Sequence, residues 1–250
     1  MKFFYKFLKG MIFIFCCLNL FGGEEKIYKI ATDIDYPPFE FRDESGELKG
    51  IDVELLEALA KNQNFKYELL ELGFQGSLRA LDSGEVDAIF SAMTITENRK
   101  EKYDFSNPYF GTGISLGVEI NSSIDSYEDL KGKTVTVKKG TVGSEFVENL
   151  ATKYHFHIMY LEDSLNLVND VATLMSDACF EDTVFLKYNI ANGVNIKMPL
   201  KEEGYSECGV MVKKGENKEL LEKINRGLIS LKENGEYAQI IEKYLKKNKK

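Results

Sequence analysis

The sequence predicts an α/β fold in two lobes, and three observations carry that expectation. Short apolar runs of strand character alternate with amphipathic runs of helical period, the pattern of βαβ units in which helices flank a mixed, mainly parallel sheet. The alternation comes as two successive sets, each with its own strands and helices. Two short glycine-bearing segments, residues 109–113 and 205–209, sit where the sets meet and can act as hinge crossovers between lobes. A single α/β domain with an elaborate insertion is the alternative arrangement.

In chain order, residues 28–32 read as a strand. It is closed by Asp33-Ile34-Asp35-Tyr36-Pro37-Pro38, where the prolines force extended backbone and end the ladder. From Gly50, apolar residues recur at helical spacing through residue 60. Residues 65–72 form the next strand, 76–82 a short helix stopped by Ser83-Gly84, and 86–91 a third strand. In the second set, 114–118 is a strand, 126–130 a short helix, and 134–137 a strand entering the loop Lys138-Lys139-Gly140-Thr141-Val142-Gly143. Helices follow at 144–154, 164–175 and 182–192, with a short strand at 177–180. Residues 209–213 return to strand, and amphipathic helices at 218–232 and 236–245 close the chain around Asn234-Gly235. The expected boundaries are a leader over 1–23, one lobe from 24–110 and 208–250, and the other from 111–207.

The leader follows from order and composition. Lys2, Lys6 and Lys9 form a basic region, residues 11–21 carry no charge, and Gly22-Gly23 precedes Glu24-Glu25. The apolar run is about half the ~20 residues that span a bilayer, so it reads as a cleaved secretion signal rather than an anchor. Cys16 and Cys17 offer a lipid-anchored variant, which the bulky residues before them disfavour. Cleavage removes three of the 32 basic residues and none of the 40 acidic ones. The mature chain is therefore strongly acidic, which excludes nucleic acid as a natural partner. The basic tail from Lys246 to Lys250 is a solvated helix end. Of four cysteines only Cys179 and Cys208 survive cleavage, and their distance is not legible from sequence. His155 and His157 are the only histidines, two apart in a strand-like run with no cysteine nearby, so no metal site is expected. About 227 residues remain, ample for one large domain or two small ones.

The stretch Ser91-Ala92-Met93-Thr94-Ile95-Thr96-Glu97-Asn98-Arg99 lies where a strand hands over to a short helix. It offers backbone donors, two threonine hydroxyls and a guanidinium, a set suited to a carboxylate. Taken alone it is equally an ordinary turn with a capping threonine and a surface arginine.

Further segments keep it company. They are Asp33…Tyr36-Pro37-Pro38-Phe39, Gly50-Ile51-Asp52-Val53-Glu54-Leu55, Asp104-Phe105-Ser106-Asn107-Pro108-Tyr109, Leu130-Lys131-Gly132-Lys133, Gly140-Thr141-Val142-Gly143 and Asp182-Thr183. In this order and spacing, over residues 28–245, the chain resembles the periplasmic polar amino acid-binding proteins, the extracellular solute-binding family 3 that feeds ABC importers. Its glutamine-binding and lysine/arginine/ornithine-binding members are nearest. The resemblance implies a type II periplasmic binding protein fold that closes on a free amino acid. It implies that Arg99 grips the ligand α-carboxylate, with Ser91, Ala92 and Thr94 holding the ligand from the same lobe. Thr141 and Val142 would present amides from the other lobe at a helix N-terminus, where negative charge is favoured. Val142 departs from the Thr or Ser of many relatives, which removes a hydroxyl and leaves the backbone donor. Asp182 would pair with the α-ammonium. The resemblance also implies a cofactor-free monomer in the periplasm or outside the cell, with an ABC permease in the inner membrane as partner.

By the same resemblance the side-chain pocket comprises Asp33, Tyr36, Phe74 and Glu181, with Lys138 at a position that contacts ligand in some relatives. Tyr36 and Phe74 would sandwich an extended side chain, and ring faces attract cations. Glu181 places a third acid beside Asp33 and Asp182. Burying carboxylates without compensation is costly, so arginine, lysine or ornithine is expected ahead of glutamine or another neutral polar amino acid. A Glu181–Lys138 pair would weaken that expectation. An enzymatic alternative is a secreted cyclohexadienyl (prephenate or arogenate) dehydratase of the same fold, with Glu181 as general acid. No Gly-x-Ser-x-Gly elbow, nucleophilic cysteine constellation or metal-ligand cluster supports other chemistry.

Overall fold

The computed structural model describes residues 26–246. The expected leader over 1–23, with Cys16 and Cys17, and the basic tail past Lys246 lie outside the described residues. The chain runs β1 (Ile27–Thr32), β2 (Phe41–Arg42), β3 (Leu48–Lys49), α1 (Ile51–Gln63), β4 (Lys66–Glu71), α2 (Phe74–Ser83), β5 (Ala88–Ile89), α3 (Glu97–Lys102), β6 (Tyr103–Phe105) and β7 (Phe110–Glu119). After a 3-10 turn at Glu128–Leu130 come β8 (Thr134–Lys138), α4 (Val142–Tyr154), β9 (His157–Leu161), α5 (Ser164–Ala172), β10 (Ala178–Asp182) and α6 (Thr183–Ala191). The chain ends with β11 (Ile196–Lys197), β12 (Glu203–Cys208), β13 (Met211–Lys213), α7 (Lys218–Glu233) and α8 (Glu236–Leu245).

Two sheets result. The first has the order β4-β1-β5-β13-β6, and the second β11-β7-β10-β8-β9 with β12 also paired to β7. In each sheet one strand runs against all its neighbours: β13 in the first and β7 in the second. The other pairings, β1 with β4 and β5, and β8 with β9 and β10, are parallel. The α/β expectation of mixed, mainly parallel sheets is therefore met with one reversed strand per sheet.

The two crossovers are not independent loops. β7 and β12 pair antiparallel through Phe110↔Cys208, Gly111↔Glu207 and Thr112↔Ser206. Gly111, Gly113 and Gly209 do not need the left-handed region, and Gly113 serves a different purpose. A Cβ there would stand 2.9 Å from the Glu203 carbonyl oxygen, so glycine admits the partner strand. Tyr109 N–H donates to the Cys208 carbonyl at 3.1 Å, and the Tyr237 hydroxyl of α8 donates to the Tyr109 carbonyl at 2.5 Å.

Helix packing follows the sequence period. On α7, Leu220, Leu221, Ile224, Leu228 and Leu231 are buried, one stripe at helical spacing facing α1 and α8. Each such side chain contributes roughly 2 kcal/mol on leaving water. One core cluster is continuous across the crossovers, joining Tyr36, Phe39 and Tyr109 to Val184, Phe185 and Leu186 of α6. A second lies around β7, β8 and β10, and a third between β1, β5 and α2. Among the described residues no helix is long and apolar enough to cross a membrane. Cys179 and Cys208 are both free thiols, buried, with no bridge between them.

The sequence reading did not mark β2, β3, β6, β11 or β12, and other local differences are small. The strand expected at 86–91 is ladder-paired only over Ala88–Ile89, and the helix at 126–130 contracts to the 3-10 turn. His155 is not in a strand: it ends α4 in the left-handed region, φ 59°, and β9 begins at His157.

Candidate functional site

Loops at the carboxyl ends of parallel strands face one another between the sheets, the usual ligand position in open α/β sheets. Asp33 follows β1, Ser91, Ala92 and Thr94 follow β5, Lys138 ends β8, and Glu181 and Asp182 end β10. Tyr36 comes from the turn after β1, Phe74 opens α2, Arg99 lies in α3, and Thr141 and Val142 begin α4. All twelve sequence-predicted residues line one cavity. Met93, Ile114, Gly143 and Ser206 join them and were missed. Met93 and Gly143 could have been inferred as neighbours of predicted residues. Ile114 and Ser206 belong to the paired crossover strands, and no sequence signal showed that those strands would form a wall.

One part of the cavity wall favours an anion. Arg99 is held by its Nη1 donating to the Thr94 carbonyl at 2.9 Å, and its guanidinium lies 5.9 Å from the Phe74 ring centroid. Among the described residues no carboxylate forms an ion pair with it. Burial lowers its pKa, opposed by the charges of Glu145, Tyr103 and Asp182. Thr141 caps α4: its hydroxyl accepts from Ser144 N–H at 3.1 Å and donates to the Lys138 carbonyl at 2.8 Å. The remaining first-turn amides of this 13-residue helix open on the cavity with the positive end of its dipole.

Another part of the wall is acidic. The Tyr36 hydroxyl faces Asp182 Oδ2 at 2.7 Å and Glu181 Oε1 at 3.0 Å, sharing its one proton between two carboxyls. Glu181 also accepts from the Asp182 amide at 3.1 Å and from the Ser164 hydroxyl at 3.2 Å. Burial raises both pKa values; Glu181's charge raises Asp182 further, while Lys138 opposes the rise at Glu181.

Lys138 forms a buried ion pair with Asp33 in the same wall. Its ammonium stands 5.1 Å from the Tyr36 ring centroid and 5.5 Å from that of Phe74. Burial works against its charge, but Asp33 and then Glu181 outweigh it and raise its pKa. The cation between the two ring faces is thus the chain's own. Tyr36 is itself stacked on Phe185 of α6 at 5.1 Å and on Phe39 at 5.7 Å.

Comparison with known proteins identifies the family and the fold. Residues 28–247 match the model of the bacterial extracellular solute-binding proteins, family 3. The chain is 32% identical over 224 residues to the arginine-binding extracellular protein ArtP of Bacillus subtilis, covering 89% of this chain and 87% of ArtP. An ancestral arginine-binding protein, solved once bound to arginine and once bound to glutamine, is 36% identical with a TM-score of 0.79, covering 87% of this chain and 97% of the other. Substrate-binding domain 2 of Lactococcus lactis GlnP, in an open conformation, is 36% identical with a TM-score of 0.65, covering 89% of this chain and 96% of that domain. The chain belongs to solute-binding family 3 and has the type II periplasmic binding protein fold.

Proposed function

We propose that this family 3 protein captures one free α-amino acid with an uncharged polar side chain, glutamine foremost, and hands it to an ABC importer outside the cytoplasmic membrane. The carrying observation is the charge arrangement in the cavity. Arg99 stands without a carboxylate partner, Asp182 lines the same cavity close enough for the two charges to interact, and Lys138 and Asp33 neutralise each other in its wall. A zwitterion spans the first two groups with its carboxylate on Arg99 and its ammonium on Asp182. Its side chain then meets a donor and an acceptor already paired, which suits a carboxamide: its oxygen accepts from Lys138 and its nitrogen donates to Asp33.

This revises the ligand expected from sequence. Three acids were expected to be compensated by a cationic side chain; Lys138 supplies one cation from within, for Asp33, and the ligand ammonium serves Asp182. Arginine, lysine or ornithine remains the second reading, favoured by the name of the B. subtilis relative and by Glu181 in the wall. A dehydratase role for Glu181 has little support, because its two oxygens are engaged by Tyr36, Ser164 and the Asp182 amide. The named relatives above are binding proteins. Lobes 24–110 with 208–250, and 111–207, would close on the ligand because it contacts both.

The test is a thermal-shift screen of ligand-stripped mature protein against the twenty amino acids plus ornithine, since a ligand that binds only the folded state raises the melting temperature. Stabilisation by glutamine is expected. Stabilisation by arginine, lysine or ornithine alone overturns the side-chain assignment, and no shift with any of them overturns amino acid binding.

A further inference from the structure

Behind the cavity wall two carboxyl groups are held by adjacent residues, Glu40 by Ser91 and Asp52 by Ala92, with more oxygens than donors. Glu40 is fully buried and Asp52 is 2% exposed. The backbone forces them together: Ile51 N–H and Asp52 N–H donate to the Pro38 and Phe39 carbonyls, both at 2.9 Å, stitching the start of α1 onto the turn that carries Glu40. Gly50 permits this approach, with φ 135° and a virtual Cβ only 2.0 Å from the Phe39 oxygen. Asp52 Oδ2 accepts from Ala92 N–H and from the Tyr109 hydroxyl, each at 2.7 Å. Glu40 Oε1 accepts from the Ser91 hydroxyl. Glu40 Oε2 and Asp52 Oδ1 are buried and have no partner.

Two bare acceptors cannot bond each other, and unpaired buried polar atoms are costly. One proton resolves both, turning one carboxyl into a donor to the other. The groups facing the pair do not supply it. Asp33 is a further acid, Lys138 is engaged with Asp33, Tyr109 already donates to Asp52, and Cys208 is a buried thiol. The anion belongs on Asp52, which has two donors and sits in the first turn of α1, where the helix dipole favours negative charge.

We propose that Glu40 carries one proton, donates it from Oε2 to Oδ1 of ionised Asp52, and that this pair is the positioning element that fixes Ser91 and Ala92 in the cavity wall. Burial raises the pKa of both groups, Glu40 the more strongly because Asp52's charge adds to it. The backbone at Ala92 requires such support. It is held at φ 42°, a left-handed conformation that a non-glycine residue adopts only when its surroundings impose it. The Asp52 carboxylate and the Tyr109 hydroxyl both engage its amide, the latter at 3.0 Å. Tyr109 immediately precedes β7, so one proton links the ligand-facing wall to the first crossover.

Infrared spectroscopy of the mature protein at neutral pH reads the proton without any ligand. Wild type is expected to show a protonated-carboxyl band that loses one group's intensity in Glu40→Gln. In a pH series the wild-type melting temperature falls as the pH rises past neutrality, and Glu40→Gln flattens that fall. Only the binding readout rests on the amino acid assignment. With L-glutamine as probe, Glu40→Ala loses at least tenfold in affinity, and Glu40→Gln, whose amide donates as the protonated acid does, recovers most of it. An unchanged band in Glu40→Gln, or a Glu40→Gln variant as damaged as Glu40→Ala, overturns the proposal. If L-glutamine fails to bind wild type, the ligand assignment falls while the band and the pH series still decide the proton.

Discussion

Lys138, at the end of β8 in one sheet, forms a buried ion pair with Asp33, just past the end of β1 in the other. The pair therefore does two things at once. It joins the two sheets across the cavity, and it compensates the charge of Asp33, leaving Glu181 and Asp182 as the acids that face a ligand. A buried pair adds little net stability against an apolar substitute, but breaking it strands the surviving charge, at about 3–5 kcal/mol.

That asymmetry makes Lys138→Met the most direct test of ligand class. Removing the ammonium leaves Asp33 buried and unpaired, so the ligand-free protein loses about 3 kcal/mol. The space left between Tyr36 and Phe74 suits a guanidinium or ammonium side chain. The arginine-to-glutamine affinity ratio is expected to rise at least tenfold, with arginine restoring much of the lost melting temperature. Calorimetric titration of both amino acids into both proteins checks this; an unchanged ratio removes Lys138 from side-chain selection.

Arg99→Ala addresses the carboxylate clamp. The guanidinium bonds the chain through Nη1 and the Thr94 carbonyl, a contact within its own strand-to-helix segment, so the rest of the fold depends on it little. Two charge-assisted bonds to a carboxylate together stabilise a complex by about 4 kcal/mol. Loss of roughly a thousandfold in amino acid affinity is expected with a melting temperature within a few degrees of wild type. Wild-type affinity in the variant would dismiss the carboxylate clamp.

Much of this site was legible because its residues cluster beside strand ends, where motif order survives in the sequence. Ser91 to Arg99 and Gly140 to Val142 are continuous segments, so each carries its geometry locally. What escaped is non-local. Glu40 and Asp52 meet only through the close approach at Gly50, and Lys138 meets Asp33 only because two sheets face each other. The strand β12, with the sequence Glu-Gly-Tyr-Ser-Glu-Cys, is mostly exposed and lacks apolar alternation, so nothing marked it as a strand. Its pairing with β7 decides it instead.

Acid and alkali should act on stability in a defined direction. Glu40, Asp52, Glu181 and Asp182 all have folded-state pKa values raised by burial. Between their unfolded values near 4 and their folded values, the native state binds more protons than the unfolded one. Their contribution is complete below about pH 4 and is lost as pH rises through the folded values. Asp43, bonded by Lys49, and Asp104, bonded by the Gly215 amide and Lys214, are lowered and lose their contribution only as pH falls below the usual carboxylate range. The melting temperature of ligand-free protein should therefore decrease from about pH 5 to 8. A rise over that window would contradict the burial of these carboxyls.

Binding should show the opposite sign. Asp182 holds the ligand ammonium only when ionised, and its pKa is raised by burial and by Glu181. Amino acid affinity is expected to increase as pH rises from about 5.5 to 8, with proton release on binding at the acid end of the range. Titration in buffers of different ionisation enthalpy measures that release; proton uptake would place the ammonium elsewhere.

Gly50 and Gly46 separate conformational strain from steric exclusion. Both have positive φ, at 135° and 82°. A Cβ on Gly46 meets nothing within 4 Å, so Gly46→Ala costs only the left-handed penalty of about 1–2 kcal/mol. A Cβ on Gly50 would lie 2.0 Å from the Phe39 carbonyl oxygen and 2.4 Å from its carbon, both backbone atoms that cannot swing aside. Gly50→Ala must push the Phe39–Glu40 turn away from the start of α1. A loss of about 4 kcal/mol or more is expected, beyond the range of ordinary substitutions. The displacement also separates Glu40 from Asp52, so affinity should fall in the folded fraction that remains, whereas Gly46→Ala keeps full affinity. Equal destabilisation by the two substitutions, measured by urea unfolding, would show that φ alone is the constraint at Gly50.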